Sequence, residues 1–323
     1  MCTAITYQTK DTYFGRTLDL EYTYHETVTV TPRHFPFIFR HTKPINEHYA
    51  IIGMATIEDD YPLYYEAANE CGLGMAGLNF PCNAHYFSCE HGKENIASFE
   101  FIPWILSQCA TVTDARKKLL SLCLCGTPFS REFPPSPLHW IITDARETIT
   151  VEITVDGLHV FDNPVGVLTN EPRFDYHMTH LCDYLFLSAQ PPKNNFGDIL
   201  LEPYSRGMGA IGLPGDLSSA SRFVRAAFMK LNAESTDTEA ASVGQFFHIL
   251  GTVDQPRGCN RLDDGRCAIT VYTSCINLDR GIYYYTTYEN RSISAVHLNH
   301  CDLDNNELIR YPLQAEPLVY YHN

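Results

Sequence analysis

Met1-Cys2-Thr3-Ala4-Ile5-Thr6-Tyr7-Gln8 opens the chain, and the fold is decided by how this stretch is read. Residues 2–8 alternate weakly between apolar and polar and suit a strand. Thr9-Lys10-Asp11-Thr12 is a turn, and Tyr13-Phe14-Gly15-Arg16-Thr17-Leu18-Asp19-Leu20-Glu21 resumes the extended pattern. Strand, tight turn and strand predict a hairpin whose register returns Arg16 and Asp19 toward Cys2. Removal of Met1 would leave Cys2 with both a thiol and a free α-amine. Such an amine titrates at roughly 7.7–8.0, so it accepts a proton near neutral pH where a lysine amine mostly does not. One residue would then supply nucleophile and base, as a terminal threonine does. By position alone, Cys2 also reads as an ordinary small residue near a frayed end.

Working outward, residues 26–33 are β-branched and alternating, a third strand. Residues 49–54 form a fourth, followed by an acidic loop at 58–62. The glycine-rich run 67–79 reads as a turn entering a strand. It has neither Gly-x-Gly-x-x-Gly nor Gly-Lys-Ser/Thr, which excludes a nucleotide loop. Helices are predicted over 98–106 and over 112–124, the second capped at Thr113-Asp114. A proline-rich loop spans 128–137, and alternation through 138–161 indicates an antiparallel meander. A strand at 165–169 leads into a helix at 174–187. The loop 211–222 feeds a helix at 220–232, with Ser218 or Ser219 as its cap, and a further helix covers 238–250. Strands at 267–278, 281–288 and 293–298 close the chain, with Tyr283 to Tyr285 in one strand buried on both faces. Alternating blocks of strands and helices, mostly joined as hairpins, argue against a doubly wound parallel sheet. They favour an α+β arrangement of two antiparallel sheets with helices outside, in one domain over 1–323.

With 45% hydrophobic residues, the chain can bury a large core. Its formal charge of −15, from 38 acidic and 23 basic residues, opposes nucleic-acid binding, which draws on Lys/Arg contacts to phosphate. The same charge opposes adhesion to an anionic membrane. The start of the chain lacks a basic segment followed by a long apolar run, and no stretch approaches the ~20 apolar residues of a membrane span. The expected location is the cytoplasm. The twelve cysteines accordingly read as reduced thiols. None forms a Cys-x-x-Cys pair, and no cofactor or metal is expected. His177, His180 and Cys182 have a metal-like spacing, yet three such residues are more often a helix surface.

The chain resembles the choloylglycine hydrolases, the conjugated bile salt hydrolases and penicillin V acylases of the N-terminal nucleophile hydrolases. The matching pieces begin with Met1-Cys2-Thr3, Phe14-Gly15-Arg16-Thr17-Leu18-Asp19, Asp59-Asp60-Tyr61-Pro62 and Gly72-Leu73-Gly74-Met75-Ala76-Gly77-Leu78-Asn79-Phe80-Pro81. They continue with Leu138-His139-Trp140, Gly166-Val167-Leu168-Thr169-Asn170 with Phe174-Asp175, Gly212-Leu213-Pro214-Gly215-Asp216 with Ala220-Ser221-Arg222-Phe223, and Tyr272-Thr273-Ser274-Cys275.

The resemblance implies a four-layer αββα sandwich, loss of Met1, and Cys2 as nucleophile amid Arg16, Asp19, Asn79, Asn170 and Arg222. In that role Arg16 favours the thiolate and Asp19 accepts hydrogen bonds from the terminal ammonium. A backbone N–H of Asn79 and the side-chain amide of Asn170 receive the oxyanion, and Arg222 orients the cluster. Read without the resemblance, Arg16 is a surface arginine after a turn and Asp19 a solvated turn carboxylate. Asn170 is then a helix-capping amide and Arg222 a partner of Asp216. Asparagine at 79 is typical of the bile salt branch, where tyrosine marks penicillin V acylases. Cys82 departs from the pattern and is a second candidate reactive thiol.

The implied reaction is hydrolysis of the amide joining a steroid carboxyl to glycine or taurine. Alternatives are a penicillin V or N-acyl-homoserine lactone acylase, or an unprocessed, silent ligand-binding relative. Adjacency to the catalytic pieces suggests Leu18, Leu20, Ile57, Tyr65, Phe80, Phe129 and Pro137 as pocket walls. The family also implies a homo-oligomer, specifically a tetramer.

Overall fold

A computed structural model describes residues 1–323. β1 (Cys2–Gln8) and β2 (Thr12–Leu20) form the hairpin read from the sequence, with Cys2 opposite Leu18 and Ala4 opposite Arg16. β3 (Thr27–Thr31), β4 (Ile51–Glu58), β5 (Tyr61–Asn69) and β6 (Gly74–Asn79) follow as a meander. β7 (Glu94–Ala97), α1 (Phe101–Leu106), α2 (Val112–Leu119) and β8 (Leu122–Cys125) form the first outer layer. β9 (Leu138–Thr143), β10 (Thr148–Thr154), β11 (Gly157–Asp162), β12 (Val167–Leu168) and α3 (Phe174–Leu181) come next. α4 (Ser219–Asn232), α5 (Glu239–Gly251), β13 (Ile269–Asn277), β14 (Ile282–Thr287), β15 (Ser294–His297) and β16 (Ile309–Pro312) complete the chain.

The strands build two sheets, ordered β12-β1-β2-β13-β14-β15 and β11-β10-β9-β6-β5-β4-β3-β16, in which neighbours run antiparallel. A core of 35 buried residues joins Cys2, Ala4, Phe14 and Leu18 of the first sheet to Ile52, Met54, Ala76 and Leu78 of the second. It also takes in Phe223 of α4 and Phe246 of α5. A second core of 26 residues lies under α1 and α2 on the far face of the second sheet. The layers are therefore helix, sheet, sheet and helix, the αββα sandwich. No helix is long and apolar enough to cross a membrane.

Several local expectations shift. Asp59 and Asp60, at φ 47° and 56°, form a two-residue hairpin turn, and Tyr61-Pro62 already belongs to β5 rather than to an acidic loop. α2 starts at Val112 as expected, but its cap is Thr111, whose side chain accepts from the N–H of Asp114, rather than Thr113-Asp114. It ends at Leu119, and Leu122-Cys-Leu-Cys125 is a fully buried strand paired in parallel with β7. A short apolar run does not separate strand from helix by periodicity, and burial on all sides decides it here. α3 stops at Leu181 and tightens into a 3₁₀ turn at Cys182–Tyr184.

Gly15 allows β2 to approach β13, since a Cβ there would lie 2.1 Å from the Ser274 carbonyl oxygen. That approach sets the depth at which its neighbour Arg16 enters the space between the sheets.

Candidate active site

β12 pairs with β1 only at Ala4–Leu168 and Ile5–Val167, then stops. The chain turns away through Thr169 and Asn170, so the ladder position beside Cys2 is filled by a side chain. Asn170 Oδ1 accepts the Cys2 backbone N–H at 2.8 Å. That nitrogen becomes the α-amine once Met1 is gone. Arg222 enters from the first turn of α4. Its Nη1 donates to the Cys2 carbonyl at 2.5 Å and to Thr3 Oγ1 at 2.7 Å, and its Nη2 donates to Asn170 Oδ1 at 2.7 Å. A cation in the first helical turn opposes the helix dipole, so the contacts of Arg222 with Cys2, Thr3 and Asn170 account for its place better than the helix does. Arg222 does not pair with Asp216, whose carboxylate instead serves Ser218 and Ser221.

Arg16 projects from β2 into the space between the sheets. Its Nη1 donates to the Gly77 carbonyl at 2.5 Å and to Tyr65 O at 3.3 Å, tying the first sheet to β5 and β6 of the second. Burial disfavours this guanidinium, but Cys2, Tyr272, Glu66 and Asp19 around it more than offset that and raise its pKa. For Arg222 burial wins, and its pKa moves down. Neither arginine is on the surface.

Asp19 behaves differently from expectation. Its carboxylate accepts from Thr270 Oγ1 at 2.7 Å and Thr17 Oγ1 at 3.2 Å, and its main chain pairs with Met1 in both directions. The direct acceptor for the Cys2 nitrogen is Asn170, because Cys2 N points to the β12 side of the strand and away from β2. Burial foremost raises the Asp19 pKa, with Arg222 and the chain terminus opposing it.

Asn79 ends β6, its side chain exposed and its carbonyl accepting from Asn170 Nδ2 at 2.8 Å. An amide NH₂ has two donors, and the Asn79 carbonyl takes one of those of Asn170, beside the end of β6. The turn after Asn79 is stitched to the segment after Asn170. The Glu171 carboxylate accepts from the N–H groups of Cys82, at 2.7 Å, and Asn83, at 3.2 Å, and also from the Asn83 side chain. Phe80 stacks on His139 at 4.3 Å, and His139 bonds the Thr169 carbonyl and Glu152. Glu171→Ala is therefore expected to lower kcat by about 10- to 100-fold with KM little changed, through misplaced oxyanion donors. Steady-state kinetics beside a circular dichroism melt checks this.

His177 is buried, stacked on Phe223, and its Nε2 donates to the Asn170 carbonyl at 2.9 Å. Burial pushes its pKa down to about 4, so it is neutral. It holds Asn170 rather than facing outward with His180 and Cys182, and no group of three His, Cys, Asp or Glu is arranged to hold a metal ion.

The expected pocket walls separate. Leu18 and Leu20 line the inner face beside Cys2, and Tyr65 joins them with its hydroxyl bonded to Thr56 at 2.9 Å. Phe129 lies in an aromatic group with Tyr61, Phe99 and Phe133. Pro137 contributes its carbonyl to Phe80 N at 2.8 Å. Two of the seven do not fit. Phe80 is fully buried against His139, a floor beneath the turn rather than a wall. Ile57 packs into the second core under the outer helices, because strand alternation turns Thr56 inward and Ile57 outward. Tyr24, which no sequence pattern singles out, brings its ring to 6.3 Å from Phe133. A cavity of about 770 Å³ lies beyond the Glu21–Thr27 link, lined by Tyr22, His25, Ile269, Val271 and Leu313. Its lining does not include Cys2.

Residues 2–311 match the family described as linear amide C–N hydrolases, choloylglycine hydrolase family. A bile salt hydrolase/transferase of Lactiplantibacillus plantarum is 51% identical over 324 residues, covering all of both chains. One from Clostridium perfringens is 40% identical over 317 residues, 96% of each chain. The solved conjugated bile acid hydrolase of Clostridium perfringens superposes with a TM-score of 0.93 at 38% identity over the whole of both chains. A penicillin V acylase from Agrobacterium tumefaciens, at 17% identity and a TM-score of 0.77 over 98% of this chain and 94% of that one, shares the fold. The chain belongs to the choloylglycine hydrolase family of linear amide C–N hydrolases.

Proposed function

We propose that this protein hydrolyses the amide bond of glycine- or taurine-conjugated bile salts with Cys2 as the nucleophile. The observation that carries the mechanism is the Cys2 nitrogen held at 2.8 Å by Asn170, itself fixed by Arg222 and His177. Full-length relatives named as bile salt hydrolases support the substrate class.

Cleavage of the Met1–Cys2 bond frees the amine. The thiol proton passes to that amine, and the thiolate, facing Arg16, attacks the amide carbonyl. The free N–H of Asn170 and a main-chain N–H at Asn79 receive the oxyanion. Collapse breaks the C–N bond as the α-ammonium protonates the departing nitrogen, leaving a thioester. Water, deprotonated by the amine, releases the bile acid. An amine attacking that thioester in place of water would give acyl transfer, the second activity in the names of those relatives. Side-by-side turnover of glycocholate, taurocholate and penicillin V tests the reading. Deconjugation of at least one bile salt should outrun penicillin V cleavage, and the reverse ranking overturns it.

Twelve free cysteines support a reducing, cytoplasmic setting. The second sheet contributes to both cores, which supports one cooperative domain. Exposed Leu185, Phe196, Leu200, Leu201 and Tyr204 project from a segment without helix or strand, a surface suited to a second copy of the chain and to the expected tetramer. One calorimetric transition and a light-scattering mass of four chains are the expected results.

A further inference from the structure

Behind Arg16, in the closed space between the sheets, lies a carboxylate to which the reaction described above gives no role. Glu66 of β5 is fully buried. Its Oε2 accepts from the Tyr272 hydroxyl at 2.7 Å, its Oε1 accepts from the Tyr283 hydroxyl at 2.5 Å, and Oε2 stands 3.8 Å from Arg16 Nε. Tyr272 is on β13 and Tyr283 on β14, so three strands of the first sheet converge on one acid of the second. A buried charge costs several kcal/mol unless it is paired and hydrogen-bonded, and this acid has both kinds of partner.

The charges near the nucleophile give Glu66 a purpose. Arg16 and Arg222 are 1% and 0% exposed, and Asp19 and Glu66 are each 0% exposed. Two buried guanidiniums thus face two buried carboxylates. Arg16, Arg222 and Asp19 alone would leave an excess positive charge around Cys2 before the amine takes a proton. We propose that Glu66 is a positioning residue of the catalytic centre, fixing the Nε edge of Arg16 and balancing its charge so that thiol and amine exchange their proton near neutral pH. The charged or titratable groups facing Glu66 are Arg16, Tyr272 and Tyr283, with the Ser274 hydroxyl beside them. Burial raises the Glu66 pKa, against the opposing pull of Arg16 and the two tyrosines.

The proposal rests on the reading of Cys2 as nucleophile, but its test needs no substrate. In the processed enzyme, iodoacetamide labelling of Cys2 is followed against pH by mass spectrometry of the tryptic peptide Cys2–Lys10, which contains no other cysteine. Glu66→Gln removes the balancing charge. The midpoint of the labelling curve should then fall by about one pH unit, making labelling about tenfold faster on the acid side. Tyr283→Phe and Tyr272→Phe each remove one donor and weaken the carboxylate form, so they should move the midpoint the same way by less. The acid limb of kcat/KM for glycocholate should follow. An unmoved or raised midpoint in folded Glu66→Gln overturns the proposal. If that variant does not fold, unmoved midpoints in both tyrosine variants overturn it. Failure of the wild type to cleave bile salts while the Glu66→Gln midpoint falls would sink the substrate reading alone.

Discussion

Cys2→Ala is expected to lower bile salt hydrolysis by about 10⁴-fold or more while the fold persists, because the thiolate has no substitute in the site. The variant should melt close to the wild type, since Cys2 sits in a strand whose ladder bonds are main-chain. Retention of Met1 should be as damaging with every side chain intact. The Cys2 nitrogen would then be an amide that cannot take a proton, and Met1 would stay paired with the Asp19 main chain. Intact mass separates the two states by about 131 Da, one methionine residue by its covalent mass. An active protein carrying Met1, or an active Cys2→Ala variant, overturns the nucleophile assignment.

Asn170→Ala is the second large effect, because one side chain serves three partners. Its loss removes the acceptor of the Cys2 nitrogen, the tie to the Asn79 carbonyl and one anchor of Arg222. Losing an oxyanion donor typically costs about 10²–10³ in rate. The unanchored amine and a buried guanidinium short of an acceptor add to that, so a fall in kcat of about 10³-fold is expected, with lower thermal stability. Asn170→Asp keeps the acceptor and removes the donor. It should restore stability more than rate, which separates holding the amine from stabilising the oxyanion. Pre-steady-state acylation of Cys2 with a chromogenic amide checks this, and equal recovery of both properties would refute that division.

The hairpin of the first twenty residues was legible in sequence because alternation and a polar turn are local signals, and it correctly brought Arg16 and Asp19 to Cys2. Two antiparallel sheets with helices outside followed from the order of strand and helix blocks, and the four-layer αββα arrangement from the family resemblance. Local pattern misled where burial overrules periodicity. Apolar periodicity carries the predicted helix through Leu124, across what is a strand, and the acidic run 58–62 masks the start of β5, where two aspartates with positive φ make a hairpin turn.

The division within the site has a physical reason. Residue types able to do the chemistry, a cysteine near the start with arginines, an aspartate and asparagines, are written in the sequence. Which atom faces which is not, since strand direction and the early end of β12 decide it. Those features hand the Cys2 nitrogen to Asn170 and not to Asp19, turn Ile57 outward and bury Phe80. Glu66 shows the limit most clearly. In the run Tyr-Pro-Leu-Tyr-Tyr-Glu-Ala-Ala-Asn it is one acid in an apolar strand. Only the face-to-face packing of two sheets makes it the partner of Arg16 and of Tyr272 and Tyr283, the last two 206 and 217 positions away.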